Sequence, residues 1–260
     1  MENTIGFYDS GVGGLNILKK TIAQINDLNF IYVADNLNLP YGNKSDDFIL
    51  NRSMEIVTFL IKEKASTIVL ACNTATAVSI DFLRKKHKDI NFIGIEPAVK
   101  TAFTKKKDND VLLLVTDLTG KSYRLKKLIN SFNFNENLKI IPCPHLVEAI
   151  EYNYSRNEIL EILKKILCDF LHIKNLTIIL GCTHYEFIKD EISLLLNNCE
   201  VLDGSLGVTK QIIKSFNVTN LQKNKIKISK VYSTTKNIDF TSLYLKKLNL
   251  DTVNCSFIKI

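Results

Sequence analysis

The chain has 260 residues, enough for one large domain or two smaller ones, each with its own hydrophobic core. Hydrophobic residues make up 46% of the sequence and charged residues 23%, which is typical of globular proteins and excludes a disordered or fibrous chain. The net charge is +7, but the excess is almost entirely Lys, whereas nucleic-acid sites favour Arg and interleaved aromatic side chains. No nucleic-acid partner is therefore predicted.

The apolar runs, such as Val111–Val115, are far shorter than the roughly 20 residues of a membrane-spanning helix, so no membrane span is predicted. The first residues contain no basic segment followed by an apolar stretch, so no signal peptide is predicted and a cytoplasmic location is expected. In a reducing compartment, the six Cys residues favour catalysis or packing over disulfide formation.

Strand-like apolar runs alternate with amphipathic helical stretches along nearly the whole chain, which predicts an α/β protein with mostly parallel sheets. The predicted strands are Ile5–Tyr8, Phe30–Val33, Thr67–Ala71, Asn91–Ile95, Val111–Val115, Lys139–Pro142, Leu176–Leu180 and Val231–Ser233, with one more strand after the last helix. The predicted helices are Gly14–Ile25, Phe48–Lys64, Thr76–Lys86, Ser122–Asn130, Glu158–Phe170, Tyr185–Leu196, Leu206–Phe216 and Asp239–Lys247.

Two segments of the chain resemble each other. Ser66–Ala75 and Leu176–Tyr185 each consist of a buried strand, a small residue, a Cys, a nearby Thr and the start of a helix. Ligands of open α/β sheets bind beyond the carboxyl ends of the strands, where Cys72 and Cys182 are predicted to lie. Two similar halves facing each other would bring the two Cys together across a cleft.

A helix N-terminus stabilises a thiolate and offers backbone N–H groups to a carboxylate. The polar residues Asn73-Thr74 and Thr183-His184 that follow the two Cys favour a functional role for Cys72 and Cys182. The remaining four Cys are expected to serve packing, since Cys commonly acts as a small buried hydrophobe. They are Cys143, Cys168, Cys199 and Cys255.

The segment Asp9-Ser10-Gly11-Val12-Gly13-Gly14 is a third junction between a predicted strand and a predicted helix. It lacks the Gly-Lys-Ser/Thr ending of a phosphate-binding loop and the spacing of the dinucleotide fingerprint. An Asp at the end of the strand would repel phosphate, but it suits an ammonium group or a proton-handling role. No metal is predicted, because Cys143 and His145 are not accompanied by a second pair at ligand spacing.

Two Cys without a metal or cofactor suit proton transfer at a carbon atom from both faces. One thiolate removes the α-proton and a thiol on the opposite face returns one, which inverts the centre. The α-proton is weakly acidic, so the protein must supply N–H groups, close positioning and exclusion of water.

Four segments together resemble the signature blocks of the bacterial glutamate racemase family, and weaker agreement in the same order covers nearly the whole chain. They are Asp9–Leu15, Pro40–Gly42, Ala71–Ala75 and Gly181–Tyr185. The resemblance implies cofactor-independent interconversion of L- and D-glutamate for peptidoglycan synthesis, and hence a role in cell-wall biogenesis and cell shape. It also implies two similar α/β domains with the active site in the cleft between them, with residues 1–96 plus 207–260 in the first and 97–206 in the second.

The resemblance also implies roles for individual residues. Cys72 would take the α-proton from D-glutamate and Cys182 from L-glutamate. Asp9 would assist at the Cys72 side, and His184, oriented by Glu148, at the Cys182 side. The residues expected to bind substrate are Asp9, Ser10, Pro40, Tyr41, Gly42, Asn73, Thr74, Thr116, Thr119, Thr183 and His184.

Two other interpretations remain open at this stage. A related two-Cys racemase could act on aspartate or a hydantoin, since cleft details set the length of the accepted side chain. A non-catalytic binding or redox protein in which Cys72 and Cys182 form a disulfide would react with thiol reagents but would not exchange a substrate proton.

The family resemblance further implies that the protein is a homodimer and that its substrate is glutamate.

Overall fold

Two parallel β-sheets, each flanked by helices, organise the chain in the computed structural model, which describes residues 4–25, 28–105, 110–132, 137–196, 199–216, 227–250 and 253–260. The chain divides into two compact units, Met1–Ile95 with Ser205–Ile260, and Glu96–Gly204. The predicted α/β class with mostly parallel sheets is confirmed.

The described residues form ten strands. They are β1 (Thr4–Asp9), β2 (Asn29–Ala34), β3 (Ala65–Leu70), β4 (Asn91–Gly94), β5 (Val111–Val115), β6 (Leu138–Pro142), β7 (Thr177–Leu180), β8 (Glu200–Asp203), β9 (Lys227–Ser233) and β10 (Cys255–Phe257). The first unit contains the sheet β10-β9-β2-β1-β3-β4 and the second contains β6-β5-β7-β8. All neighbouring strands in both sheets run parallel.

The α-helices of the described residues connect these strands. They are α1 (Leu15–Ile22), α2 (Asp46–Lys62), α3 (Asn73–Lys86), α4 (Val99–Lys105), α5 (Asp117–Lys121), α6 (Tyr123–Asn130), α7 (Leu146–Glu151), α8 (Arg156–Leu167), α9 (Lys189–Leu195), α10 (Ser205–Ser215) and α11 (Asp239–Lys247). None of the helices in this part of the chain has the length and apolar character needed to span a bilayer.

The central strands of both sheets are continuous apolar runs because helices cover both faces of a parallel sheet. Every residue of β1 and of β5 is buried. In the second unit, Val111, Leu113 and Val115 of β5 pack with Ile179 of β7 and Leu125 of α6. The two strand ends that carry the candidate cysteines are therefore held by buried neighbours.

The structure differs from the predicted elements in several places, among them the short helices α4, α5 and α7, which were not predicted. Strand β8 was not predicted, because its four residues are only partly buried and include two acidic side chains. Helix α3 begins at Asn73 rather than Thr76, since the Cys72 side chain caps it. The helix predicted from Tyr185 begins with the 3₁₀ segment Thr183–Ile188, in which Thr and the aromatic residues have low α-helix propensity.

Candidate active site

The first candidate centre surrounds Cys72, and we call Asp9, Ser10, Cys72, Asn73 and Thr74 the Cys72 site. The Cys72 thiol points to the Ser10 hydroxyl at 3.8 Å, and that hydroxyl points to Oδ1 of Asp9 at 3.5 Å. The Asp9 carboxylate is fully buried and also accepts a hydrogen bond from the Gly11 N–H at 2.9 Å. Thiol, hydroxyl and carboxylate thus form a chain through which a proton can be passed.

The backbone of helix α3 supports the Cys72 sulfur. The Ala75 N–H donates to Sγ at 3.5 Å, so Cys72 is the N-cap of a helix of 14 residues. Aligned peptide dipoles at a helix N-terminus favour a negative charge on such a sulfur. Cys72 is 6% exposed and therefore retains only limited contact with water.

Asn73 and Thr74 occupy the first turn of α3 and are both buried. Within the described part of the chain, the amide oxygen of Asn73 has no hydrogen-bond partner. A buried acceptor without a partner is costly unless a ligand supplies the donor. Asn73 is therefore suited to accept a hydrogen bond from a bound ammonium group.

Close packing fixes the glycine-rich loop beside Asp9. Tyr32 donates from its hydroxyl to the Gly11 carbonyl at 2.8 Å. A Cβ atom on Gly14 would lie 2.6 Å from the Ala71 Cβ and 2.9 Å from the Tyr32 hydroxyl, so only glycine fits at the start of α1. The absence of a side chain at Gly14 thus lets the loop pack directly against neighbouring protein groups.

The Pro40-Tyr41-Gly42 segment follows β2 in the same unit. The Leu39–Pro40 peptide bond is cis, and Tyr41–Asn43 forms a short 3₁₀ helix that packs on α3. Tyr41 is buried, whereas Pro40 and Gly42 are partly exposed. The Tyr41 hydroxyl donates to Oδ2 of Asp35 at 2.7 Å, an interaction that the sequence did not predict.

The second candidate centre surrounds Cys182 at the carboxyl end of β7, and we call Cys182, Thr183, His184 and Glu151 the Cys182 site. Nδ1 of His184 lies 3.8 Å from the Cys182 sulfur, and Nε2 lies 2.6 Å from Oε1 of Glu151. His184 and Glu151 are 1% and 3% exposed. The imidazole therefore connects the sulfur to a buried carboxylate.

The surroundings of His184 favour its protonated form. Burial lowers the pKa of His184, but the hydrogen bonds to Cys182 and Glu151 and the negative charges on both groups outweigh burial and raise this pKa well above its ordinary value. A protonated imidazole stabilises a neighbouring thiolate. A thiolate at Cys72 is thus stabilised by the positive end of the α3 helix dipole, whereas a thiolate at Cys182 is stabilised by the protonated His184 side chain.

The expectation that Glu148 orients His184 is wrong, because the carboxylate that contacts His184 is that of Glu151. Both acids lie on α7, but Glu151 is buried and Glu148 is only half-buried. At about 100° per residue, Glu151 lies nearer to the apolar stripe of the helix. That periodicity was the sequence signal that could have identified Glu151.

Three threonines predicted to bind substrate lie in the second unit and are buried. Thr116 follows β5, and its hydroxyl donates to the Thr119 hydroxyl at 2.9 Å while accepting from the Thr119 N–H at 3.3 Å. Thr183 follows Cys182 directly on the neighbouring strand end. The structure therefore assigns all predicted site residues of this unit except Glu148 to the ends of β5 and β7.

The local backbone around the two cysteines matches. The Ala71 N–H donates to the Tyr8 carbonyl at 2.8 Å, and the Gly181 N–H donates to the Leu114 carbonyl at 2.7 Å. In each unit this bond joins the residue before the Cys to the adjacent central strand. The internal resemblance seen in the sequence thus corresponds to the same backbone arrangement in both units.

Three of the remaining cysteines have surroundings that do not favour a thiolate. Burial raises the pKa of Cys143 to about 12, and that of Cys199 and of Cys255 to about 11. Cys168 is exposed, so the expectation that it packs in the interior is wrong: it lies just after α8, in the 3₁₀ segment Cys168–Phe170, which has no buried residue. No cluster of three or more His, Cys, Asp or Glu that could hold a metal occurs among the described residues.

The chain is similar in sequence to known glutamate racemases. It is 37% identical over 246 residues to glutamate racemase of Clostridium acetobutylicum, covering 92% of this chain and 96% of that protein. It is 32% identical over 254 residues to glutamate racemase of Clostridium botulinum strain Loch Maree, covering 96% and 98%. No protein-family model matches the sequence.

Two solved structures show the same architecture. Escherichia coli glutamate racemase in complex with L-glutamate and the activator UDP-MurNAc-Ala aligns with a TM-score of 0.85 and 28% identity, over 99% of this chain and 98% of that one. Francisella tularensis glutamate racemase in complex with D-glutamate aligns with a TM-score of 0.82 and 26% identity, with the same coverage.

Two α/β units, each with a cysteine beyond the end of a parallel strand and next to acid–base side chains, define an amino-acid racemase. The sequence identity to two glutamate racemases over nearly the whole chain then shows the family: the chain belongs to the glutamate racemase family.

Proposed function

We propose that this protein interconverts L- and D-glutamate without a cofactor, using Cys72 and Cys182 as the two proton carriers. The observation that carries the proposal is the presence, in both units, of a buried cysteine at the same backbone position with a polar partner suited to proton exchange. The family membership supports glutamate as the substrate, since two related enzymes are described with its L and D forms.

In this mechanism the Cys72 thiolate removes the α-proton of D-glutamate, so that a C–H bond breaks, an S–H bond forms and the electron pair remains on the α-carbon. The Cys182 thiol then gives its proton to the opposite face, which yields L-glutamate and a Cys182 thiolate. The reverse reaction starts from that thiolate. The chemistry requires both thiols to reach the same α-carbon.

The partners of each sulfur have separate tasks in the proposal. Asp9, through Ser10, takes up or returns the proton that Cys72 exchanges, and the α3 N-terminus stabilises the Cys72 thiolate. Protonated His184, held by Glu151, stabilises the Cys182 thiolate. Glu148 has no such contact and is not assigned this role.

Substrate binding is proposed for polar groups of both units. The Asn73 amide oxygen is suited to the ammonium group, because it is a buried acceptor without a protein donor in the described part of the chain. Hydroxyl and backbone N–H groups are suited to the two carboxylates. The remaining proposed binding residues are Asp9, Ser10, Pro40, Tyr41, Gly42, Thr74, Thr116, Thr119, Thr183 and His184.

We further propose that the D-glutamate formed enters peptidoglycan precursors in the cytoplasm. Family membership supports this role, and the activator of the related Escherichia coli enzyme is the nucleotide-linked muramic acid derivative UDP-MurNAc-Ala.

The family resemblance also supports two further proposals. The first is a division into two domains, residues 1–96 with 207–260 and residues 97–206, and the second is a homodimer. Light scattering tests the dimer, which would have twice the 29.5 kDa of one chain.

Incubation of the purified protein with each glutamate enantiomer in D₂O, without added cofactor, tests the function. We expect the optical rotation to decay to zero from either enantiomer, since the two have equal free energy, and deuterium to appear at the α-carbon. No exchange with either enantiomer would overturn the proposal. Exchange with aspartate alone would replace glutamate by aspartate as the substrate.

A further inference from the structure

A buried ion pair lies behind the loop that carries Tyr41 and Gly42. Asp35 follows β2 and is fully buried, and its carboxylate accepts hydrogen bonds from Nε of Arg52 at 2.9 Å and from Nη2 of Arg52 at 2.7 Å. Arg52 lies on α2 and is 7% exposed. This two-point geometry between a planar guanidinium and a carboxylate fixes the orientation of both groups.

The same carboxylate accepts hydrogen bonds from two other segments of the first unit. The Tyr41 hydroxyl donates to Oδ2 at 2.7 Å, and Nδ2 of Asn38 donates at 3.1 Å. The Thr234 hydroxyl, just after β9, donates to Oδ1 at 2.9 Å. Asp35 therefore ties the Tyr41 loop to α2 and to the end of β9.

These contacts determine what Tyr41 can offer a substrate. Burial, followed by the charge of Asp35 and the hydrogen bond to it, raises the pKa of Tyr41 well above its ordinary value, so the phenol stays neutral and keeps its proton. That proton is donated to Asp35. The hydroxyl therefore anchors the loop, and the ring and the neighbouring backbone remain for the Cys72 site.

We propose that Asp35 and Arg52 are positioning residues of the racemase site, which act through the Tyr41 hydroxyl to hold the Tyr41–Gly42 loop on α3 beside Cys72. This inference rests on the proposed function, because the loop is assigned to glutamate binding there. The 3₁₀ helix Tyr41–Asn43 packs on α3, whose N-cap is Cys72. A displaced loop would thus weaken glutamate binding more than it slows proton transfer.

The orientation of Asp35 requires a guanidinium group, because a single ammonium group cannot donate two parallel hydrogen bonds to both carboxylate oxygens. Arg52→Lys keeps the positive charge but cannot donate from two fixed nitrogens to the two oxygens of Asp35. Tyr41→Phe keeps the ring and removes only the hydroxyl. Glu55→Gln is the matched control, since Glu55 is 57% exposed and contacts Nη1 of Arg52 on the side away from Asp35, at 2.8 Å.

Steady-state kinetics with each glutamate enantiomer, well below the unfolding midpoint of each variant, test the proposal. We expect Arg52→Lys and Tyr41→Phe each to raise KM about tenfold with a smaller change in kcat. The double variant should show no further tenfold rise, because both changes release the same loop. Glu55→Gln should leave KM unchanged.

Hydrogen exchange measured by mass spectrometry provides a readout that does not depend on activity. Arg52→Lys and Tyr41→Phe should speed exchange in peptides covering residues 36–45 and leave those of α3 unchanged. Unchanged exchange there, or unchanged KM in an active protein, would overturn the positioning role alone. Failure of the wild-type protein to exchange the α-proton would instead overturn the proposed function.

Discussion

Nε2 of His184 lies 2.6 Å from Oε1 of Glu151 while Nδ1 of the same ring faces the Cys182 sulfur at 3.8 Å. Both ring nitrogens are thus occupied, one by a buried carboxylate and one by the candidate base. The imidazole has no direct counterpart at Cys72, where a serine hydroxyl and a helix N-terminus contact the sulfur. The thiolate of Cys182 is therefore stabilised by a charged side chain, and that of Cys72 by a helix N-terminus.

Glu151→Gln removes the negative charge next to His184 while keeping the size of the side chain. We expect kcat/KM to fall about tenfold or more, since a hydrogen bond to a charged group contributes roughly 1.5–3 kcal/mol. The loss should be equal in both directions, because the two enantiomers have equal free energy. Glu148→Gln is the matched control on the same helix and should change kcat/KM less than about twofold. Equal losses in the two variants would contradict the assignment of Glu151.

The raised pKa of His184 predicts a pH dependence of stability. The folded protein binds this proton more tightly than the unfolded chain, so the contribution is fully present below the unfolded pKa of about 6.5 and is lost as the pH rises through the folded-state pKa. The urea midpoint of the wild type should therefore fall more between pH 6 and pH 9 than that of Glu151→Gln. Parallel profiles of the two proteins would show that Glu151 does not raise this pKa.

Replacement of either candidate base should stop racemisation. Cys72→Ser and Cys182→Ser introduce a hydroxyl that is a far weaker acid than a thiol, so each should lower the rate at least about 10²-fold in both directions. Cys168→Ser is the control, because Cys168 is exposed and belongs to neither site, and it should keep full activity. Polarimetry from each enantiomer measures the rates, and near-normal turnover of either site variant would refute the two-base mechanism.

Gly181, just before Cys182, has no room for a side chain. A Cβ atom there would lie 2.6 Å from Cγ1 of Val115 and 2.8 Å from the Leu114 carbonyl oxygen. Gly181→Ala should lower the free energy of unfolding by about 1–3 kcal/mol and reduce kcat, because the strand end must shift and moves Cys182. Gly207→Ala, on α10 with no atom within 4 Å of the added Cβ, should be neutral or slightly stabilising. Thermal unfolding and initial rates would show both effects, and a tolerated Gly181→Ala would contradict the packing argument.

The sequence by itself determined the α/β class and the position of both cysteines. Buried parallel strands are continuous apolar runs, so β1, β3, β5 and β7 are visible in a short window, and the polar residue that follows each run marks the strand end. The resemblance between Ser66–Ala75 and Leu176–Tyr185 identified Cys72 and Cys182, because each Cys follows the end of such an apolar run. Local patterns of this kind depend on neighbours in the chain.

Only the tertiary structure decided which distant side chains meet. Glu148 and Glu151 are one helical turn apart on α7, and burial against the segment after β7 selects Glu151 as the partner of His184. Asp35 and Arg52 are 17 residues apart, and their pairing depends on how α2 packs beside the end of β2. Hydrogen bonds between side chains on different elements are set by packing, which a one-dimensional pattern does not contain.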